Sequence, residues 1–262
     1  MKQILKGIAN RLGFEVTRVP RPKRVVSSAS SDELEYYETP LGNFYLPSNV
    51  PDDVIVNCIK SGRIFEPEVV ETARKFITKG SIALDVGANF GQMSMLFSEM
   101  VGDDGIVYSY EADDFVFEIL KKNIEANGCK NIEPIFGAVF NESGKDLFFP
   151  KQDFRRFPAY GSYGIDPNAH TGRTVSSLMI DDIDCAKPIS FMKVDVQGSD
   201  LFAMQGAVKT IRQHRMPILF EFEQQFQDEF GTSFKEYVEF VASIDYEFVE
   251  VINQINYLIR PR

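Results

Sequence analysis

Asp85, Gly87, Asn89 and Gly91, followed by Glu111, have the types and spacing to hold a nucleoside. Glycines at 87 and 91 admit left-handed backbone angles and bring main chain close to a ligand. Glu111 ends an apolar run, and its two carboxylate oxygens suit the paired hydroxyls of a ribose. A structural turn with a solvated acid beyond it is the plainer alternative. The joint occurrence of glycine turn, following helix and distal acid favours a nucleotide-type site.

Positioning those residues requires strand, turn, helix and strand. Ile82 to Val86 is an apolar run with Asp85 inside it, stopped by the turn Gly87-Ala88-Asn89-Phe90-Gly91. Met93, Leu96, Phe97 and Met100 then repeat at helical spacing, and a second apolar run, Ile106 to Tyr110, follows Gly102-Asp103-Asp104-Gly105. This is a βαβ unit, and in doubly wound sheets ligands bind beyond the carboxyl ends of the strands.

The dinucleotide pattern G-x-G-x-x-G is absent, because Asn89 stands where a middle glycine would admit a pyrophosphate. That argues against NAD. No G-x-x-x-x-G-K-[ST] occurs either, so the phosphate-cradling loop of nucleotide triphosphatases is missing. S-adenosylmethionine has a ribose and an amino-acid tail but no phosphate. It suits a turn headed by Asp85, which could hold the ammonium group directly or through a water.

The segments LDVGANFG, VYSYEAD, LKKNIEANG, GAVFNESG, FMKVDVQGSDLFAMQGA and PILFEFE, in that order, resemble the FkbM family of S-adenosylmethionine-dependent methyltransferases over about residues 62–250. The resemblance implies O-methylation, typically of a sugar or polyketide hydroxyl. It also implies that Ala138, within Gly137-Ala138-Val139, lines the adenine, and that Glu66 lies near the cofactor. Glu66 beside Pro67 reads equally well as an acid at a helix start.

The remaining elements fit an α/β fold of class I methyltransferase type: a Rossmann-like seven-stranded sheet with helices on both faces and a terminal antiparallel hairpin. The spacing predicts a hairpin over 36–47, and helices over 51–60 and 67–76 that cover one edge of the sheet. It predicts a helix over 115–126, a strand over 132–139, a strand over 175–183 whose acids Asp181 and Asp182 cap the helix that follows, and a strand over 189–196. A single helix over 200–212, a strand over 216–222, a helix over 234–241 and a strand pair, 246–252 with 255–259, complete the chain. Three regions result: 1–31 as basic amphipathic helix and linker, 32–79 as a hairpin and helices packing on the core, and 80–262 as the methyltransferase domain. The aperiodic stretch 150–174 reads as a lid over the substrate, with Arg155, Arg156, Tyr160, Tyr163 and His170 as contacts, since a loop this long in a compact domain is more often functional than idle.

Transfer of a methyl group from a sulfonium is an in-line displacement, which needs alignment and proton removal and no covalent residue. Asp195, at the tip of the fourth strand, is the candidate base or orienting acid, and Glu221, at the tip of the fifth, is its catalytic neighbour. Asp195 also lies beside the cofactor edge. Converging carboxylates could instead hold a divalent cation such as Mg2+, which would acidify a sugar hydroxyl. Capping of Gly198 and the helix beyond is the local alternative for Asp195. Gln197 departs from the glutamate usual in the family, which weakens position 197 as a metal ligand or base.

Composition narrows the partners. The chain of 262 residues has a net charge of −10, unevenly spread: residues 1–24 hold seven Lys or Arg against Glu15, while the remainder has 21 basic and 37 acidic residues. An acidic body repels nucleic acid, which leaves a small molecule or glycan as the acceptor. The face Ile4, Leu5, Ile8 and Leu12 with nearby basic residues suits an anionic membrane surface, the protein body or a second subunit. Three scattered cysteines and two histidines supply neither a disulfide framework nor a histidine metal site. Without a cleavable leader pattern the chain reads as cytoplasmic, with peripheral contact at the inner membrane face left open. Two other functions also stay open: methylation of an amine, a protein or a lipid-linked saccharide, and a catalytically silent cofactor-binding scaffold.

Overall fold

The computed structural model describes residues 23–25, 34–170 and 172–262, so the predicted helix over 1–12 and most of the linker lie outside the described residues. The elements are β1 (Lys23–Val25), β2 (Leu34–Thr39), β3 (Gly42–Pro47), α1 (Val54–Lys60), α2 (Pro67–Phe76), β4 (Ile82–Val86), α3 (Gln92–Val101), β5 (Ile106–Glu111), α4 (Asp114–Ala126), β6 (Ile132–Phe136), β7 (Ala138–Val139), β8 (Asp146–Phe149), β9 (Arg173–Leu178), β10 (Ile189–Val194), α5 (Asp200–Gln205), α6 (Val208–His214), β11 (Ile218–Glu221), α7 (Gln224–Phe230), α8 (Phe234–Ser243), β12 (Tyr246–Ile252) and β13 (Asn256–Pro261).

Seven strands form the main sheet in the order β12-β13-β11-β10-β4-β5-β6. β4, β5, β6, β10 and β11 pair in parallel, while β13 runs antiparallel to both β11 and β12. This is the expected seven-stranded sheet with a reversed terminal hairpin. The period-two alternation of a strand feeds two cores. On β4, Ala83 joins one cluster with Phe97, Leu120 and Phe191, whereas Ile82, Leu84 and Val86 join another with Leu201, Met204 and Tyr237. Among the described residues, no helix is long and apolar enough to cross a membrane.

The N-terminal hairpin is locked to α4 through side-chain amides that act as a surrogate strand. Asn123 accepts from Tyr45 N (2.6 Å) and donates to Tyr45 O (3.2 Å) and Phe90 O (2.9 Å). Asn127 accepts from Asn43 N and donates to Asn43 O, both at 2.7 Å. Leu34, Phe44, Leu46, Val56 and Ile59 belong to the same core as α3 and β10. α2 lies on a face of the sheet, against α3 and β10, and not on the edge expected for it.

Several boundaries differ from those expected, each for a local reason. The third strand breaks at Gly137, and β7 leaves the main sheet to pair in parallel with β9. The predicted strand over 175–183 ends at Leu178, after which Ile180–Asp182 makes one 3-10 turn. Asp181 accepts from Lys209 N (2.9 Å) and Thr210 N (2.7 Å), so it caps α6 from a distance. The helix expected over 200–212 is two helices, α5 and α6. They divide at Gly206, where a Cβ would overlap the carbonyl oxygen of Phe140. β8 and α7 were not anticipated: β8 has four residues, and of α7 only Phe226 and Gln227 are buried, leaving no apolar stripe to read. β1, inside the supposed linker, pairs with β2.

Candidate active site

The parallel strands end in one row. Their registers place Glu221, Asp195, Gly87, Glu111 and Phe136 in that order along the carboxyl edge, with Gly137 following Phe136. The order reverses between β4 and β10, the switch point where a doubly wound sheet opens a crevice. A crevice lies there, with about 990 Å³ of empty space that includes its opening to solvent.

Glu111, Asn89, Gly87, Ala138 and Asp195 line this cavity. Glu111 Oε2 accepts from Asn89 N (2.8 Å), and its Oε1 accepts from the amides of Ala112 (2.9 Å) and Asp113 (2.8 Å). The carboxylate is thus aimed before any ligand arrives. Burial pushes Glu111 up to about 7, against the pull of those amides and with Asp113 adding to the rise. Asp113 caps α4 through Phe115 N (2.9 Å) and Val116 N (3.1 Å), and it is held by Arg173 at 2.9 Å.

The two glycines act differently from the expectation. Both have left-handed φ, 84° and 88°, but the close neighbours are protein. A Cβ at Gly87 would overlap the carbonyl oxygen of Asp195, so this glycine lets β10 reach the crevice beside β4. Gly91 caps α3 against the side chain of Leu120 and does not line the cavity.

Asp85 is also corrected. It is fully buried and does not line the cavity. Its Oδ2 accepts from Ser94 Oγ (2.6 Å), which in turn accepts from Ser109 Oγ (2.8 Å). Its Oδ1, without a hydrogen-bond partner, lies 3.7 Å from Lys193 Nζ. Lys193, for which sequence reasoning gave no role, reaches the cavity instead and donates to Gly87 O and Asp195 Oδ2, each at 3.2 Å. Burial alone would lower the ammonium, but Asp195, Asp85 and Glu66 together hold it above its ordinary range. A lysine inside the apolar run FMKVDV was the available signal, because an unpaired charge there would be costly.

Asp195 is fixed from both sides. Gln197 Nε2 donates to Asp195 Oδ1 (2.8 Å) and to Glu221 Oε2 (3.1 Å). Glu221 is buried, does not line the cavity and touches the site only through this amide. That removes it from direct contact with a substrate. Burial first, then Asp195 and Asp200, push Glu221 well above the usual carboxylate range. The residues do not fit Mg2+. Among the described residues no group of three His, Cys, Asp or Glu is arranged to hold an ion, and the Asp195 and Glu221 carboxylates are already joined by the Gln197 amide.

Of the supposed lid contacts, Tyr160 and Tyr163 line the cavity with Gly161, Gly164 and Ile165, but Arg155, Arg156 and His170 do not. Arg155 pairs with Asp153 (3.1 Å) and Arg156 with Glu229 (2.9 Å), both at the surface. The N-terminal region supplies Ile55, Ile59, Phe65 and Glu66 to the wall. Asp53, which sequence reasoning missed, joins the two: it accepts from Val56 N (2.9 Å) as the cap of α1 and from Tyr160 N (2.8 Å) of the lid.

Strand order, with its reversed terminal hairpin, and a cavity at the switch point define a class I methyltransferase fold. The chain matches the methyltransferase FkbM domain over residues 85–248, more than half its length, and belongs to that family. It is also similar to a curated protein described as "Probable cobalt-precorrin-6B C(15)-methyltransferase (decarboxylating)" of Sulfolobus acidocaldarius. They are 33% identical over 85 residues, 31% of this chain and 44% of that relative, so less than half of the relative is covered. Among solved structures, methyltransferase FkbM from Methylobacillus flagellatus KT is 17% identical over 78% of this chain and 52% of its own, with a TM-score of 0.46. Trm5b from Pyrococcus abyssi is 11% identical over 91% of this chain and 62% of its own, with a TM-score of 0.48.

Proposed function

We propose that this methyltransferase uses S-adenosylmethionine to methylate a hydroxyl of a sugar or of a glycosylated small molecule. The observation that carries the reading is the placing of Glu111 and Asp195 on the lining of one crevice, two strands apart, or about 10 Å at the usual strand spacing. That span suits adenosine at one end and a reacting oxygen at the other. Glu111 would hold the ribose, while Ala138 and Val139 offer the small apolar surface that a flat base needs. When bound, the cofactor supplies an electrophilic methyl group on a sulfonium.

The chain's own residues then have three tasks. Tyr160, Tyr163 and Ile165 cover the crevice and exclude water. Asp195, held by Lys193 and Gln197, orients the acceptor hydroxyl and receives its proton. Lys193 Nζ, 3.2 Å from Asp195 Oδ2, holds that carboxylate in place from the side opposite Gln197. Aromatic side chains beside hydrogen-bonding carboxylates suit a sugar, and the acidic body argues against a nucleic acid.

Calorimetric titration with S-adenosylhomocysteine, with NAD as comparison, tests the cofactor. Saturable binding of the first alone is expected, weakened roughly 10–100-fold by Glu111→Ala, the loss expected for hydrogen bonds to a charged group. Mass spectrometry of a sugar panel incubated with S-adenosylmethionine tests the acceptor. A gain of one methyl on a hydroxyl supports the reading, and methylation only of nitrogen or carbon acceptors would sink it.

A further inference from the structure

The wall at the Asp195 end is made of acceptors. Asn256 Nδ2 donates to Glu66 Oε1 (3.1 Å), and among the described residues no hydrogen bond reaches Glu66 Oε2. Gln197 commits its Nε2 to Asp195 and Glu221, and among the described residues its side-chain carbonyl accepts no hydrogen bond. Four of the side-chain donors of the lining are already engaged. Lys193 donates to Gly87 O and Asp195 and faces Asp85. Tyr163 Oη donates to Phe157 O (3.1 Å), Ser199 Oγ to Val196 O (3.1 Å), and the Gln92 amide to Arg63 O (3.0 Å).

Charge points the same way. Among the described lining residues Lys193 is the one cation, against Glu66, Glu111, Asp113 and Asp195. Arg155 and Arg156, the cations of the covering loop, are turned outward into pairs with Asp153 and Glu229. Behind the wall Asp200 is buried, with one oxygen unpartnered. Burial raises Glu66, and Asp195 adds to that rise. A phosphate or carboxylate brought here would meet acceptors and like charge. An ammonium brings three donors and the opposite charge.

We propose that the methylated unit of the acceptor carries a protonated amine beside its reacting hydroxyl, as in an amino sugar or amino alcohol, and that Glu66, Asp195 and the Gln197 carbonyl receive it. This rests on the reading of the cavity as a methyl-transfer site. Three matched probes test it: methyl glucoside, its 2-amino-2-deoxy analogue and methyl glucuronide. Each is titrated at pH 7 into protein saturated with S-adenosylhomocysteine, and each is separately incubated with S-adenosylmethionine.

The amino glycoside is expected to bind at least about tenfold tighter than the neutral one, and the glucuronide weakest, as charge-assisted bonds are the stronger kind. Glu66→Gln should bring the amino and neutral probes close to equal, with its folding checked by thermal melting. Equal binding of the amino and neutral probes, preference for the glucuronide, or binding of none of the three would overturn the proposal. Equal binding is also the result expected if the cofactor's own ammonium takes these oxygens. Amine-selective binding without methyl transfer would instead sink the activity proposed for these acceptors and leave the charge preference standing.

Discussion

At the scale of single residues, the site depends on side chains whose partners are already in place. Glu111 takes three backbone amides on its two oxygens, so it can accept a ribose hydroxyl without losing rotamer freedom first. Its elevated pKa, about 7, has a consequence for binding. A ribose hydroxyl favours the ionised carboxylate, so S-adenosylhomocysteine affinity should be flat above about pH 8. Below pH 7 it should fall by up to about tenfold per unit. Calorimetry from pH 6 to 8.5 checks this, and Glu111→Gln, already uncharged, should remove the dependence. Lys193 works by neutralising two acids at once. Lys193→Met should leave Asp85 buried without a compensating charge and destabilise the protein by about 3–5 kcal/mol, measurable by denaturant unfolding.

At the scale of elements, the crevice is closed by a joint between two pieces far apart in sequence. Asp53 caps α1 and holds the lid at Tyr160 N, while Tyr160 packs against Phe90, Phe115 and Phe154. Asp53→Ala should cost about 1–2 kcal/mol of stability from the cap. It should also raise the cofactor KM more than the acceptor KM, because Tyr160 packs on Phe90 and Phe115, beside Asn89 and Asp113 at the Glu111 end. Steady-state kinetics with both substrates would separate the two, and equal effects would argue against the joint. Asn123 performs the corresponding task for the hairpin. Asn123→Ala leaves the buried backbone of Tyr45 and Phe90 unpaired and should lower stability by about 2–3 kcal/mol in thermal or denaturant unfolding.

For the molecule as a whole, the concentration of acids behind the crevice links folding to pH. Burial raises Asp200 from 3.8 to about 8, with Asp195 adding to it, and burial likewise raises Glu221. Between 3.8 and 8 the folded protein keeps a proton on Asp200 that the unfolded chain has released, so stability present at low pH is lost as pH rises through 8. The melting temperature should therefore fall between pH 6 and 9 by at least about 3 °C. Asp200→Asn should flatten part of that fall in a scan of melting temperature against pH. An unchanged slope would mean that Asp200 is ionised in the folded protein.

The sequence by itself determined the βαβ unit around Gly87, the distal acid Glu111, the terminal hairpin turning at Asn253-Gln254 and the approach of Asp195 to the crevice. Those features are local, because strand periodicity, helix spacing and turn residues are set by neighbours within a few positions. The sequence did not reveal that Asp85 hides behind Lys193, that Glu221 reaches the site only through Gln197, or that Arg155 and Arg156 face outward. Nor did it reveal that Gly206 divides one helix into two, or that Asp53 fastens the lid. Each depends on the side chain or backbone carbonyl that a distant segment brings opposite: β10 beside β4, Phe140 behind Gly206, Tyr160 over α1. Chemical type and spacing say what a residue can do, but tertiary packing decides which of its atoms are already bonded and which remain for a ligand.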